Sequence, residues 1–245
     1  MNGETKSRNG AILKKILSIF VVLTFVYFCA SKLMLNKKGF VSVKGASEKD
    51  VVADIAYWTI SFTNSGNDLG AIRNKNKTDL KNVQEFLTKY NIKDSEIKIN
   101  PLELVDLESR EYKDPNQTNR FILTQSVSVI TNDILSIEEA SKNLDNLIDM
   151  NVSIKGSFGE TKPIYKYTKI NDIKQELLHE ATLKAKQTAD QFAKDSNSVV
   201  GNIKYANQGT IIINAKNKKM EYADESYEKE KTVRAVVSIE YWLNQ

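Results

Sequence analysis

The sequence predicts an α+β fold: a mostly antiparallel sheet with helices packed on it, in two loosely similar halves, preceded by one N-terminal transmembrane helix. Three observations carry this. Segments of alternating apolar and polar residues, rich in Val, Ile, Thr and aromatics, recur through the chain and read as half-buried strands. Between them lie segments whose apolar residues return every three or four positions, the spacing of a helix with one buried face. Ahead of both, residues 16–30 read ILSIFVVLTFVYFCA without a charge.

From Ile16 to Leu35 the chain is apolar apart from the Lys32 neighbourhood. As a helix this stretch spans about 30 Å, the thickness of a bilayer core. Lys32 lies close enough to the end to reach the headgroups. Lys6, Arg8, Lys14 and Lys15 precede the run. Basic residues stay on the cytoplasmic side, so residues 1–15 form a cytoplasmic tail, 16–35 a signal-anchor, and 36–245 an exported domain. A cleaved signal peptide shares the basic start and apolar run, with Cys29-Ala30-Ser31 as its best cleavage site. A buried core helix is the third reading. Phe28 ahead of Cys29 argues against lipid attachment, which wants a small residue there.

The body follows. Phe40–Ser47 alternates as a strand, and Val51–Thr63 reads as a longer one, closed by turn residues at Asn64-Ser65-Gly66-Asn67. From Asp68 the period changes: Leu69, Ile72, Leu80, Val83, Leu87 and Tyr90 share a helical face, and Asn91 is a stop. Ile97–Leu107 is strand-like, with Pro101 marking an edge or bulge. After a polar loop at Glu108–Asn119, Arg120–Thr131 alternates with Phe121, Leu123, Val127 and Val129 on one face. Ser136 and Glu139 form a capping box, opening a helix with Ile137, Ala140, Leu144, Leu147 and Ile148 inward. Asn151–Phe158 is a short strand. Asn171–Ser196 is the longest helical pattern, its buried stripe Ile173, Leu177, Ala181, Ala185, Ala189 and Phe192. Val199–Ala206 and Thr210–Asn214 are strands, Ala215–Lys231 is a charged loop, and Thr232–Leu243 closes the chain with Val233, Ala235, Val237, Ile239 and Tyr241 inward. Strand–helix–strand order recurs in each half, the source of the loose symmetry.

Charge narrows the function. The chain carries 35 Lys+Arg against 31 Asp+Glu, a net charge of +4. Residues 1–35 hold five of the bases (Lys6, Arg8, Lys14, Lys15, Lys32) and one acid (Glu4), so the whole excess belongs to the tether and the domain is neutral. Nucleic-acid binders draw their affinity from a basic surplus, so no nucleic-acid partner is predicted. The one cysteine, Cys29, sits in the apolar run, which leaves the exported body without disulfides or Cys-based metal sites.

Candidate chemistry is sparse. His179, the only histidine, falls two positions past Leu177 and off the buried stripe; as an acid–base group or ligand it has no second His or Cys to work with. Glu138 and Glu139 are adjacent carboxylates, but at a helix start they favour the dipole rather than hydrolysis. No phosphate-binding glycine motif appears, and Gly156-Ser157-Phe158-Gly159 reads as a strand-end turn. Trp58 and Trp242 could form a ligand platform, though aromatics in alternating strands usually pack a core. Residues 215–231 offer a partner-contact surface, with a solvated loop as the plainer reading. No catalytic, cofactor-binding or metal residue is assigned, and no cofactor is expected.

Four segments together resemble the SIMPL-domain family of bacterial exported or periplasmic proteins. They are FVSVKGASEKDVVADIAYWTISF at 40–62, NVQEFLTKYNIKDSEIKINPLEL at 82–104, RFILTQSVSVITNDI at 120–134, and EATLKAKQTADQFAKDSNSVVGNI at 180–203. The likeness spans residues 40–243. Val52 stands where the family usually has a proline ahead of Asp54, Asn91 where it has a glycine, and Asn197 or Ser198 where a helix-ending glycine is common. The resemblance implies an α+β fold, an envelope location, self-association, and a role described loosely as envelope integrity or stress tolerance; it brings no active site.

The expectation is therefore a non-enzymatic protein of the bacterial inner membrane, single-pass, with residues 36–245 in the periplasm. It meets the lipid bilayer through residues 16–35 and works as a homo-oligomer by self-assembly or interaction. A cleaved periplasmic form and a small-molecule-binding or hydrolytic envelope protein are the alternatives. No small-molecule ligand is named by the sequence.

Overall fold

In the computed structural model, residues 20–27, 39–111, 116–156, 161–216 and 224–244 are described. Residues 20–27 are helical (α1). The body runs β1 (Phe40–Val52), β2 (Ile55–Gly66), α2 (Leu69–Lys89), β3 (Ile97–Ile99), β4 (Glu103–Asp106), β5 (Phe121–Thr131), α3 (Ile134–Lys142), α4 (Asn146–Asp149), β6 (Ile154–Lys155), β7 (Ile164–Lys166), α5 (Ile170–Asp195), β8 (Val199–Ala215) and β9 (Glu230–Asn244). The described residues form an α+β protein with one sheet in the order β1-β9-β8 and another in the order β3-β5-β2-β6, where β4 extends along β5 and β7 along β2. The first strand of the body thus pairs with the last, and the sheets do not follow the two sequence halves.

The described residues fall into two compact units, those within 46–181 and 209–236, and those within 20–45, 182–208 and 237–244. In the first, β2 and β5 pair antiparallel from Ala56↔Thr131 to Gly66↔Phe121. Alternation then places Trp58, Ile60 and Phe62 beside Val129, Val127 and Gln125 on one buried face. Helices cover that face with Val83, Phe86 and Leu87 of α2, Ile137 and Ala140 of α3, and Leu147 of α4. The opposite face is polar, with hydroxyl pairs Thr59–Ser128 at 3.2 Å and Thr63–Thr124 at 3.3 Å. A second cluster in this unit joins Ile173 and Leu177 of α5 to Val233 and Ala235 of β9. In the other unit, Ala185, Ala189 and Ala193 of α5 are buried, as are Val43, Val237, Ile239 and Tyr241. Alanine keeps the helix close to its support.

Three helices end alike, and asparagine is the reason. Ile92 N donates to Leu87 O and Asn91 N to Thr88 O after α2; Val152 N to Leu147 O and Asn151 N to Ile148 O after α4; Ser198 N to Ala193 O and Asn197 N to Lys194 O after α5. This is the Schellman closure, which needs its penultimate residue in the left-handed region. Asn91, Asn151 and Asn197 sit there at φ 61, 59 and 53. Asn is among the few residues other than Gly that tolerate this conformation, so the replacements seen in sequence keep the turns.

Several boundaries differ from the sequence reading. Val51 and Val52 end β1, and the chain turns at Ala53-Asp54 before β2; Ala53 N donates to Lys229 O and Asp54 N to Lys166 O, which fixes the break. β2 continues through Gly66, because Ser65 and Gly66 pair with Ile122 and Phe121. Pro101 splits the predicted strand into β3 and β4, both on β5. The cap of α3 is Asp133 rather than Ser136: its carboxylate accepts from Ser136 N at 3.1 Å and Ser136 Oγ at 2.8 Å. Ile148 is 63% exposed, since a turn at 143–145 restarts the helix as α4 and shifts its phase. Phe192 is likewise exposed and Ala193 takes its buried place. β8 is one strand, because Gly209 lets the backbone approach Val236 O where a Cβ would sit at 2.7 Å. Of the predicted strand 151–158, Ile154–Lys155 is paired with β2, and residues 157–160 lie outside the described residues.

The predicted membrane segment 16–35 lies outside the described residues except for α1, and so does Cys29. Among the described residues no helix is long and apolar enough to cross a membrane. Phe20, Val21, Val22, Leu23, Phe25, Val26 and Tyr27 of α1 are all exposed.

Candidate functional site

The structure separates the residues singled out by chemistry. His179 is exposed on α5. Among the described residues no three His, Cys, Asp or Glu side chains converge as metal ligands. Trp58 is buried in the core, and its Nε1 donates to Thr161 O at 2.7 Å. Trp242 lies in the other unit, beside Phe40. The carboxylates diverge, Glu139 to solvent and Glu138 into a cleft. Of the turn 156–159, Gly156 alone is described. The predicted partner loop is tied down where it is described: Lys216 pairs with Asp50 at 3.0 Å, Ala215 N donates to the Glu225 carboxylate at 3.0 Å, and Lys231 is buried and donates to Glu225 O at 2.6 Å. Burial pushes the Lys231 ammonium below its ordinary range. Residues 217–223 lie outside the described residues.

The cleft has a volume of about 420 Å³ and is formed by α3, the segment at 161–165 and the segment at 227–229. Asp133 fixes the start of α3, which presents Glu138, Ser141 and Lys142 on one side of the helix, three and four residues apart. Pairing of β7 with β2 sets Tyr165 opposite Ala56 and delivers it to the cleft. Glu138 accepts from Lys142 Nζ at 2.8 Å and from Lys229 Nζ at 2.5 Å. These lysines, Lys142 first, hold the carboxyl below the usual range despite some burial. Tyr165 is pushed up to about 12, first by burial and then by the Glu138 charge, with a hydrogen bond to Ser141 acting the other way. At neutral pH the cleft therefore holds a neutral phenol and a carboxylate neutralised from both sides. Neither is poised to accept a proton, since general-base chemistry wants a value near the working pH. Lys162 Nζ stands 5.9 Å from the Tyr227 ring centre at the rim of the cleft. Tyr165 and Lys162 were not marked by the sequence, and Lys229 was marked only as part of the 215–231 loop. They join Glu138 through tertiary contact, and no local spacing links them.

A different feature stands out on the β1-β9-β8 sheet, whose two outer strands are unlike. β1 carries Lys44, Glu48, Lys49 and Asp50 among its 13 residues. Three of these are paired across to neighbours: Glu48 with Arg234, Lys49 with Glu176, and Asp50 with Lys216. β8 has 17 residues, no proline, and a single charge, Lys204. That charge is turned back along the sheet, donating to Glu240 at 2.8 Å and lying 3.4 Å from the Phe40 ring centre. Natural sheets defend edges with lysines, prolines and bulges. β1 is defended in this way and β8 is not, and β8 exposes Val199, Ile203 and Tyr205 in one unit and Ile212 and Ile213 in the other.

No curated protein matches the chain. A family model does, over residues 41–241, and its description is SIMPL, protein of unknown function (DUF541). That match takes in helices α2 to α5, strands β2 to β8 and most of β1 and β9, and the chain belongs to the SIMPL family.

Proposed function

We propose that this SIMPL protein is a membrane-anchored, non-enzymatic component of the bacterial envelope that works by self-association, with the open edge of β8 as its assembly surface. The observation that carries the reading is the asymmetry between the two outer strands. A long, nearly uncharged edge with exposed Ile203 and Tyr205 offers main-chain groups for pairing and apolar area to bury. An edge strand that pairs antiparallel with its own copy forms a two-fold contact, the commonest symmetry of soluble oligomers. Anchoring is supported by α1, apolar on every side and uncovered by protein, within a run of bilayer length. Residues 36–245 then lie in the periplasm, and every copy is presented in the same orientation. Envelope integrity or stress tolerance is the physiological setting the family suggests.

Light scattering on the full chain in detergent micelles tests the assembly. An oligomer is expected at micromolar concentration, and Ile203→Lys with Tyr205→Lys is expected to reduce it to monomer with an unchanged circular-dichroism melt. A wild-type chain that is monomeric over a wide concentration range refutes the reading.

A further inference from the structure

The end of the domain that emerges from the tether carries a surface of its own. Leu243 N donates to Gly39 O at 2.8 Å, so the start of β1 and the end of β9 lie side by side. Phe40, 49% exposed, meets Trp242 edge-on with ring centres 6.5 Å apart and planes at 81°. Gly201 lies against Trp242 O, where a Cβ would sit at 3.0 Å, which brings the start of β8 and the exposed Val199 to the same end. The Lys204–Glu240 ion pair there is neutral as a whole, and its ammonium rests over both rings, 3.4 Å from Phe40 and 5.3 Å from Trp242.

The length of chain before this end decides what it meets. Residues 36–39 separate the predicted span from Phe40. Fully extended, four residues reach about 14 Å, roughly the depth of one headgroup layer with some slack. An end held that close to a bilayer, bearing Trp and Phe, is in the zone where amphipathic aromatics settle.

We propose that Phe40 and Trp242 form a bilayer-contact surface that seats this end of the domain in the lipid headgroup region. The inference rests on the anchored reading above. Lys204 is neutralised by Glu240, so the two rings contribute an aromatic contact for which zwitterionic lipid suffices, beside the Lys37 and Lys38 charges of the link. It restrains the domain on its tether and fixes which way the β8 edge faces.

The chain has two tryptophans, which makes the contact measurable. Trp58 is 1% exposed in the core and serves as an internal reference. The full chain is reconstituted into phosphatidylcholine vesicles carrying bromine either high on the acyl chain or at its methyl end, and vesicles are floated before fluorescence is read. The expected result is quenching by the shallow bromine, little by the deep one, insensitivity to added salt, and loss of the quenched fraction in Trp242→Phe. Chain that floats with the vesicles but shows no shallow quenching, or the same quenching in Trp242→Phe, overturns the contact and leaves the anchor standing. Chain that fails to float overturns both. The depth comparison in the wild-type chain decides the matter even if the variant folds poorly.

Discussion

Replacing Ala189 with leucine tests how α5 is seated. Ala189 is fully buried, and the alanine stripe it shares with Ala185 and Ala193 sets how closely the helix approaches its support. Leucine adds three carbon atoms where no space is provided. Overpacking of this kind costs about 1–3 kcal/mol, through shifted backbone and displaced rotamers. With a urea slope of about 2 kcal/mol per molar, the unfolding midpoint falls by about 1 M. Phe192→Ala is the control, because Phe192 is 56% exposed and its truncation should change stability by about 0.5 kcal/mol or less. Both are read by far-ultraviolet circular dichroism of the full chain in detergent during urea titration. A larger loss for Phe192→Ala than for Ala189→Leu refutes the reasoning. It would put Phe192 rather than Ala193 in the buried stripe, one residue and about 100° round the helix, where the sequence alone places it.

Other consequences can be checked by the same assay. Asn197→Gly should leave stability nearly unchanged and Asn197→Val should lower it by about 1–2 kcal/mol, because a β-branched side chain resists the left-handed turn at φ 53. Trp58→Phe removes the part-buried hydrogen bond to Thr161 O, a loss of about 0.5–1.5 kcal/mol from that bond. Asp133→Ala removes the cap of α3 and should cost about 1 kcal/mol at neutral pH. Hydrogen bonds from Ser136 hold Asp133 below the usual carboxylate range, so its contribution is present above the unfolded value and is lost as pH falls through the lowered folded one. The gap between wild type and Asp133→Ala should therefore narrow on acidification below the carboxylate range, and a gap that widens contradicts the assignment.

Where apolar spacing decided an element, the sequence was readable. Leu69, Ile72, Val83 and Leu87 marked α2, and the alternation around Trp58 and Val129 marked the strands that became β2 and β5. Endings were harder where two local signals competed. Ser136 with Glu139 has the form of a capping box, yet Asp133 three residues earlier takes the cap, since its carboxylate reaches both the backbone and the hydroxyl of Ser136. Asn207-Gln208-Gly209 has turn composition, but pairing with β9 carries the strand through it. The sequence marked Glu138 but not the cleft around it, because Tyr165 and Lys229 come from distant parts of the chain.

By itself the sequence determined composition, charge and period: a basic apolar N-terminal segment, a neutral body without cysteine, and strands and helices within a stretch that matches the SIMPL family. These are local properties, written in neighbouring residues. Tertiary structure alone decided that the first strand of the body joins the last and that β1 and β8 become the two outer strands of one sheet. Which strand lies at an edge depends on pairing between residues far apart in the chain. The near absence of charge in β8 was present in the sequence throughout, and it became a statement about assembly once the fold placed that strand at an open edge.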